Sequence, residues 1–413
     1  MRSPQLLWLK AHVLAKKIAR VSQALAKHEI SRYPSFLETF EQRYAASVGR
    51  RYGLSFCNGT SAIEAALFAA NVQPGDEVIV PSCTFHASID PILNAGALPV
   101  FADVETTSLT IDPVEVAKKL THKTKAIIAV HVWGIPADIT RLRQVLVGKS
   151  VALIEDVSHA HGARYDGRPC GAWGEFGVFS LQGSKAIAAG EGGIVVTDSW
   201  ESYIRMSAWG HFDRHSQHFA TIGLEDFVAT GVGYKRRMAP LGALLADVDL
   251  DHLDTYNQIK QKNVEILDQA LASIDGIEIV QTAETAERGG FYQGYPIRVV
   301  HPGVTAEAAL AVLTQAGIQA SAYPFVLHHQ LPVLTDLVFR QALMAQQSPP
   351  QPVASPACLP VTETLKTHLI LLAPRYLLEL DCNLLTKLKS VLAGISTQAT
   401  SSRPQTLKKP VSV

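Results

Sequence analysis

Lys185 is the first residue of this sequence that suggests chemistry. It stands in "FSLQGSKAIAAGEGG" (179–193), where most of its neighbours are Gly, Ala and Ser. Small neighbours would let a flat ligand lie close to the backbone, and burial would lower the pKa of the amine towards its nucleophilic form. An exposed loop lysine is the alternative interpretation, and exposure is the usual situation of any one lysine.

Two adjacent acids, Glu155 and Asp156, follow an apolar run in "LIEDVSHAHGA" (153–163) and precede two histidines. If the run is a strand, the two carboxylates point to opposite faces, so only one of them can face a ligand. A buried carboxylate is costly unless it meets a cation, which here is either a ligand or an interior arginine.

The stretch "NGTSAIEAAL" (58–67) places Gly, Thr and Ser directly before a helical pattern. Free backbone N–H groups, two hydroxyls and the positive end of the helix dipole favour an anion at such a place. The alternative is that Thr60 or Ser61 only caps the helix.

These three features fit one ligand, pyridoxal phosphate (PLP). Its phosphate binds at a helix N-terminus, its pyridine nitrogen faces an Asp, and its aldehyde reacts with a lysine. The sequence therefore predicts a PLP site in which Lys185 and Asp156 take part.

Other motif-like stretches do not support a different site. "GKS" (148–150) has Arg143 where a phosphate-binding loop needs Gly, and "GEGG" (190–193) lacks the spacing of a dinucleotide site. The histidines of "HFDRHSQH" (211–218) have helical spacing but bring one further acid, so we expect no metal site.

Composition excludes several classes of protein. The chain has 413 residues, of which 47% are hydrophobic and 18% charged, so it is long enough for a large core. Lys plus Arg and Asp plus Glu both total 37, which gives no reason to expect nucleic acid as a partner. Five scattered cysteines and the lack of a long apolar run indicate a cytoplasmic protein without a transmembrane segment.

Apolar runs alternate with helical patterns from about residue 55 to residue 198. This alternation predicts an α/β fold with a mostly parallel sheet covered by helices on both faces. Polar residues end the runs, and ligands bind at the carboxyl ends of strands in such sheets. We expect a large domain at 35–254, a smaller C-terminal α/β domain at 255–396 and a disordered tail at 397–413.

Residues 1–34 are expected to form a basic helical extension. The first 28 residues contain six Lys or Arg residues and no acid, and their apolar residues recur at helical spacing. A helix packed on the body of the protein is the preferred interpretation, and weak contact with a membrane surface is the alternative.

From about residue 35 to residue 395, the sequence resembles the DegT/DnrJ/EryC1/StrS family of aminotransferases. Seven stretches carry the resemblance, in this order: "NGTSAIEAAL", "PGDEVIVPSCTFHAS", "GALPVFADVE", "VHVWGIPADI", "IEDVSHAHGARYDG", "FSLQGSKAIAAGEGGIVVT" and "GVGYKRRMAPLGA". The resemblance implies PLP as cofactor and PLP fold type I, the fold of aspartate aminotransferase.

The resemblance also implies roles for individual residues. Lys185 would be the Schiff-base lysine, Asp156 the partner of the pyridine nitrogen and His159 a neighbour of the ring hydroxyl. Phe85 would stack on the ring. The implied phosphate-binding positions are Gly59, Thr60 and Ser180, and those near the substrate are Tyr323 and His328.

Lys235 marks a departure from the family, which usually has Asn at this position of "GYKRRMA" (233–239). In the family that Asn reaches the phosphate of the neighbouring subunit's cofactor, so the resemblance implies a homodimer with shared active sites. A lysine could still neutralise the phosphate, as a longer point charge.

The implied activity is transfer of an amino group from glutamate or glutamine to a ketone. The ketone would be a nucleotide-linked keto-sugar or a cyclitol, in amino-sugar, polysaccharide or secondary-metabolite biosynthesis. Two alternatives stay open. One is a PLP-dependent sugar dehydratase, which would have His in place of Lys185, and the other is a catalytically inactive or regulatory relative that binds PLP.

Overall fold

The computed structural model of the chain describes residues 4–211, 213–228, 234–335 and 357–401. Its first nine strands are β1 (Tyr52–Phe56), β2 (Glu77–Pro81), β3 (Leu98–Ala102), β4 (Thr124–Val130), β5 (Ala152–Asp156), β6 (Arg164–Tyr165), β7 (Arg168–Pro169), β8 (Phe176–Ser180) and β9 (Gly193–Thr197). Seven of these strands form one sheet in the order β1-β9-β8-β5-β4-β2-β3. Neighbouring strands from β3 to β8 are parallel, and β9 is antiparallel to both β8 and β1. The sheet is mostly parallel, as predicted.

Helices cover both faces of this sheet. The α-helices of the described residues are α1 (Pro4–Ala26), α2 (Ser35–Val48), α3 (Gly59–Ala69), α4 (Asp90–Asn94), α5 (Pro113–Lys119), α6 (Ile139–Val145), α7 (Trp200–Gly210), α8 (Pro240–Leu271), α9 (Ala306–Gln315), α10 (Pro332–Thr335), α11 (Pro360–His368) and α12 (Cys382–Ser401). Side chains alternate along each strand. Val78 and Val80 of β2 share a buried cluster with residues of α3, and Ile79 between them shares another with residues of α5 and α6.

The later strands build a second, smaller sheet. They are β10 (Ile277–Ile279), β11 (Ala286–Glu287), β12 (Tyr295–Val299), β13 (Ala320–Ala322) and β14 (Leu369–Leu372). Four of them pair in the order β10-β12-β14-β13, all antiparallel, whereas β11 joins β6 and β7. Ile297, Ile370 and Leu372 are buried between this sheet and the helices α9 and α12.

A pattern of apolar residues at helical spacing predicts a helix at about 250–274, and the long helix α8 begins before it, at Pro240. Pro240 stands in its first turn, where the missing N–H of proline leaves no intrahelical bond unmade. The helix runs without interruption to Leu271 and so crosses the expected boundary between residues 254 and 255. The division into a large and a small domain at that point stays a prediction.

The N-terminal helix α1 packs on α8, in agreement with the interpretation of residues 1–34 as a helix packed on the body of the protein. Leu6, Val13 and Ala24 are buried, and Nζ of Lys17 lies 2.6 Å from Oδ1 of Asp249. The other side of α1 is exposed and apolar, at Leu7, Leu14, Ile18 and Leu25. Contact of this helix with a membrane surface stays a prediction. None of the described helices is long and apolar enough to span a bilayer.

The last helix extends beyond the point where the sequence suggested a disordered tail. α12 ends at Ser401, so residues 397–401 are helical. The sequence of this segment, "TQATS", contains neither Gly nor Pro, so nothing in it interrupts the helix. The expected disorder of 402–413 falls outside the described residues.

Candidate active site

A cavity of about 410 Å³ opens at the carboxyl ends of β4, β5 and β8. The last residue of each strand lines it, namely Val130, Asp156 and Ser180. These three strands are parallel neighbours, so their ends meet at one edge of the sheet. The start of α3 and two later segments of the chain close the cavity from the sides.

The cavity brings together most of the residues singled out from the sequence. It is lined by Gly59, Thr60, Phe85, Asp156, His159, Ser180 and Lys185. Tyr323, His328 and Lys235 do not line it within the described part of this chain. The predicted roles of all ten residues stay predictions, whereas their positions are given by the structure.

Lys185 is half-buried, and its Nζ lies 3.3 Å from the ring centroid of Tyr292. Loss of surrounding water lowers the pKa of its amine to about 7, and the negative charge of Asp156 opposes this effect only in part. A substantial fraction of the amine is therefore neutral near neutral pH, which is the form that attacks a carbonyl carbon.

Asp156 is buried at the end of β5 and faces the cavity. Its Oδ2 accepts a hydrogen bond of 2.7 Å from the hydroxyl of Ser88, and its Oδ1 accepts one of 3.1 Å from the backbone N–H of Ser158. These contacts fix the orientation of the carboxylate, and none of them involves the interior arginine considered as an alternative.

Glu155 points to the opposite face of β5 and is fully buried there. It accepts hydrogen bonds from the backbone N–H groups of Gly171, Trp173 and Gly174, and lies 3.1 Å from Nε2 of His131. The strand alternation predicted from the sequence is thus present, and Asp156 is the acid that faces the cavity.

The N-terminus of α3 forms one end of the cavity. Asn58 caps it by accepting a hydrogen bond of 2.8 Å from the backbone N–H of Ser61, so neither Thr60 nor Ser61 is the cap. A Cβ on Gly59 would lie 2.9 Å from Cβ of Ser180, so the glycine lets β8 come close to the helix. The hydroxyls of Thr60 and Ser180 and the helix terminus provide donors for an anion.

His159 is buried beside Lys185, and burial holds its pKa well below the usual range. Its Nδ1 lies 3.5 Å from the backbone N of Trp133. Its ring lies near those of Tyr292 and Phe325, with centroid distances of 4.5 and 6.1 Å. The ring is therefore held as a neutral imidazole at one wall of the cavity.

The three remaining predicted residues lie around the cavity. Nε2 of His328 donates a hydrogen bond of 3.0 Å to the backbone carbonyl of Thr84, so it anchors the segment that carries Phe85. Tyr323 is buried with its ring 5.5 Å from that of Phe325. Lys235 is exposed on the surface of its own chain.

Sequence reasoning missed several residues of the site. Tyr292, Gln293 and Phe325 line the cavity, and Ser88 holds Asp156. Tyr292 and Gln293 are more than 100 positions after Lys185 in the chain, and no spacing in the sequence connects them. The glycines of "GGFYQG" (289–294) are the one signal that could have indicated a tight approach of this segment.

A second polar cluster lies on the other face of the sheet. His131, Glu155 and Cys170 bring possible metal ligand atoms within 4.8 Å of one another. Both carboxylate oxygens of Glu155 already accept backbone hydrogen bonds, and Nδ1 of His131 accepts one from Ala137. These hydrogen bonds make the cluster part of the folded structure.

Two histidines of the segment 211–218 also have hydrogen-bond partners. Nε2 of His211 donates to the backbone carbonyl of Ser55, and Nε2 of His215 is hydrogen-bonded to the hydroxyl of Tyr203.

Comparison with known proteins identifies relatives of this architecture. Residues 13–370 match the DegT/DnrJ/EryC1/StrS aminotransferase family. An L-glutamine:2-deoxy-scyllo-inosose aminotransferase of Micromonospora echinospora is 32% identical over 318 residues, which cover 71% of this chain and 73% of that enzyme. The enzyme of the same description from Streptomyces kanamyceticus is 34% identical over 245 residues, or 58% of this chain and 57% of that enzyme.

A solved structure gives the same result for the fold. The crystal structure of a 3-amino-5-hydroxybenzoic acid synthase is similar with a TM-score of 0.78 and 27% sequence identity, over 93% of this chain and 97% of that one. The similarity confirms the expectation of PLP fold type I. With a family match over most of its length and a lysine and an aspartate at the sheet edge, the chain belongs to the DegT/DnrJ/EryC1/StrS aminotransferases.

Proposed function

We propose that this aminotransferase binds PLP in the cavity at the sheet edge and moves an amino group from glutamate or glutamine to a ketone. The observation that carries the proposal is the juxtaposition of Lys185 and Asp156 in one cavity with the N-terminus of α3. Residues more than 120 positions apart supply an amine, a carboxylate and an anion cradle.

The donor set fits PLP. Gly59, Thr60 and Ser180 would hold the phosphate, because the helix terminus and two hydroxyls offer donors to an anion. Asp156 would hold the pyridinium N–H, and Phe85 would cover one face of the ring. When bound, PLP supplies an aldehyde that reacts with amines and a ring that withdraws electrons from the substrate carbon.

The protein's own groups would move the protons. The amine of Lys185, with its pKa lowered to about 7, can accept a proton at Nζ and return it, which is general acid and base catalysis. The Asp156 carboxylate, oriented by the hydroxyl of Ser88, would keep a proton on the pyridine nitrogen of the cofactor. His159 stays neutral and would donate a hydrogen bond near the ring hydroxyl.

The acceptor is proposed to be a cyclitol ketone or a nucleotide-linked keto-sugar, with glutamine or glutamate as donor. Support comes from the related enzymes named above, whose descriptions give L-glutamine and 2-deoxy-scyllo-inosose as substrates. A sugar dehydratase is not favoured, because the cavity holds a lysine at position 185. The cavity provides no observation in favour of a purely regulatory role.

Replacement of Lys185 tests the proposal. Purified Lys185→Ala should lose the visible absorbance of lysine-bound PLP and should lose transamination from glutamine, because no amine is left in the cavity to react. Lys149→Ala changes an exposed lysine and should keep both properties. Full transamination by Lys185→Ala would contradict the assignment. Cyclitol and sugar-nucleotide ketones, offered in parallel to the unsubstituted protein, identify the acceptor class.

A further inference from the structure

Tyr292 covers the amine of Lys185. Its ring centroid lies 3.3 Å from Nζ of Lys185, and its ring also meets that of His159 at a centroid distance of 4.5 Å. Tyr292 is half-buried and lines the cavity. On its side of the cavity, the aromatic ring therefore stands between the amine and solvent.

The turn before Tyr292 is pressed against the segment that follows β5. Gly290 has φ +66°, and a Cβ there would lie 2.7 Å from the backbone N of His161. A Cβ on Gly289 would lie 2.3 Å from the backbone N of Ala163. Because a side chain at either position would collide with backbone atoms, the turn reaches this close only with glycine.

Two side chains of α8 hold this turn. The backbone N–H of Gly290 donates to Oδ1 of Asn257 at 3.0 Å, and its carbonyl accepts from Nζ of Lys260 at 2.8 Å. Nδ2 of the same Asn257 donates to the carbonyl of His161 at 2.8 Å. One buried amide thus connects the turn to the segment after β5.

We propose that Tyr292 is a positioning residue that shields the Lys185 amine from water, and that Asn257 keeps it in place by fixing the turn at Gly290. The importance of this shield for catalysis depends on the proposed function, whereas its physical effect on the amine does not. Neither residue is assigned a role by the family resemblance.

The shield acts through solvation. The titratable groups near the amine on the neighbouring elements are Asp156, His159 and His161, with Lys260 beyond them on α8. Glu191 and Tyr292 also belong to the lining of the cavity. Burial keeps both histidines neutral near neutral pH, so their charge does not vary there. Removal of the ring admits water, which raises the amine's pKa from about 7. Loss of the cation–π contact opposes this rise, and burial is the first cause of the lowered pKa.

The pKa of the amine can be measured without turnover. In the cofactor-free, full-length chain, competitive acetylation followed by mass spectrometry of the Lys185 peptide gives a reactivity profile against pH. The midpoint of the profile reports the pKa, whereas easier access changes only its plateau. Tyr292→Ala and Asn257→Ala are compared with Tyr292→Phe, which keeps the ring, and with Asn263→Ala.

Asn263→Ala is a matched control because Asn263 is also on α8 and also bonds a backbone carbonyl, that of Leu377, away from the turn. We expect both test variants to raise the midpoint. In mildly acidic buffer, the neutral fraction of the Lys185 amine should then fall roughly tenfold for each unit by which its pKa rises. Both controls should keep the wild-type midpoint.

The outcomes separate this inference from the proposed function. An unchanged or lower midpoint in Tyr292→Ala overturns the shield, even if the wild-type chain transaminates. An unchanged midpoint in Asn257→Ala overturns its positioning role. Raised midpoints in a wild-type background that does not transaminate would uphold the shield and contradict the function. Circular dichroism of each variant verifies that it is folded.

Discussion

At the scale of single residues, adjacent acids in one strand have opposite tasks. Glu155 and Asp156 are neighbours in β5, and side-chain alternation sends them to different faces of the sheet. Glu155 meets three backbone N–H groups and His131, whereas Asp156 meets the hydroxyl of Ser88 and the cavity. One carboxylate therefore belongs to the fold and the other to the site.

Substitution of the two acids should separate these tasks. Glu155→Gln puts an NH₂ group where hydrogen bonds are accepted, and loss of a buried, paired charge costs about 3 kcal/mol of unfolding free energy. Asp156→Asn should leave stability nearly unchanged and weaken PLP binding by tenfold or more, on the order of the loss of one charge-assisted bond. Urea denaturation and PLP titration measure the two effects. Equal destabilisation by both variants would contradict the division.

The pH dependence of stability should reveal the buried amine of Lys185. Its pKa is lowered from 10.5 to about 7, so between these values the folded chain binds fewer protons than the unfolded chain. Stability of the cofactor-free protein therefore rises with pH through this window and is lost as pH falls towards 7. Lys185→Met should reduce the slope, measured by urea denaturation near pH 7 and near pH 9. Lys149→Met, at an exposed position, should leave the slope unchanged.

At the scale of elements, the N-terminus of α3 depends on its approach to β8. Asn58 caps the start of α3 with a hydrogen bond, and the missing side chain of Gly59 leaves room for Ser180 beside the first turn. Since the last residues of three parallel strands lie at this edge, the helix dipole points its positive end at the cavity. The anion site is a property of two elements that pack closely.

Gly59→Ala tests this approach. Its Cβ would lie 2.9 Å from Cβ of Ser180, so β8 and the helix must separate and the donors move apart. We expect PLP affinity to fall at least about tenfold, which corresponds to roughly 1.4 kcal/mol. Fluorescence titration with PLP measures the change. Gly394→Ala on α12, where an added Cβ would meet no atom of a neighbouring element within 4 Å, is the control and should bind normally.

At the scale of the whole molecule, the position of Lys235 bears on assembly. Lys235 is exposed and does not line the cavity of its own chain, among the residues that the structure describes. Lys185 is the sole Lys or Arg in the described lining of that cavity, and Arg236, which donates a hydrogen bond to the hydroxyl of Ser61 in the first turn of α3, lies outside that lining. The homodimer that the family resemblance implies would bring Lys235 of each subunit to the cavity of the other.

Subunit mixing tests this arrangement. Co-refolded Lys185→Ala and Lys235→Ala chains form mixed dimers in which one site has both native lysines. We expect recovery of up to about a quarter of wild-type activity, since half of the dimers are mixed and each has one native site of two. A mixture of Lys185→Ala and Asp156→Asn should recover nothing, because both changes affect the cavity of their own chain. Equal recovery in the two mixtures would contradict a shared site.

The sequence by itself determined the sheet and the central pair of the site. Apolar runs that end in polar residues predicted the parallel strands, and Lys185 and Asp156 were identified from local context. The start of α8 at Pro240 and the helical continuation to Ser401 were not predicted, because local propensity leaves helix ends poorly defined.

Only the tertiary structure decided which distant residues complete the cavity. Tyr292, Phe325 and Ser88 come from segments far apart in the chain and contact Lys185, His159 and Asp156, respectively. Tyr292 reaches Lys185 where the turn at Gly290 packs against the segment that follows β5. Periodicity and motifs record which face of an element a residue occupies. They contain no information about which separate elements meet, because that depends on the packing of the complete core.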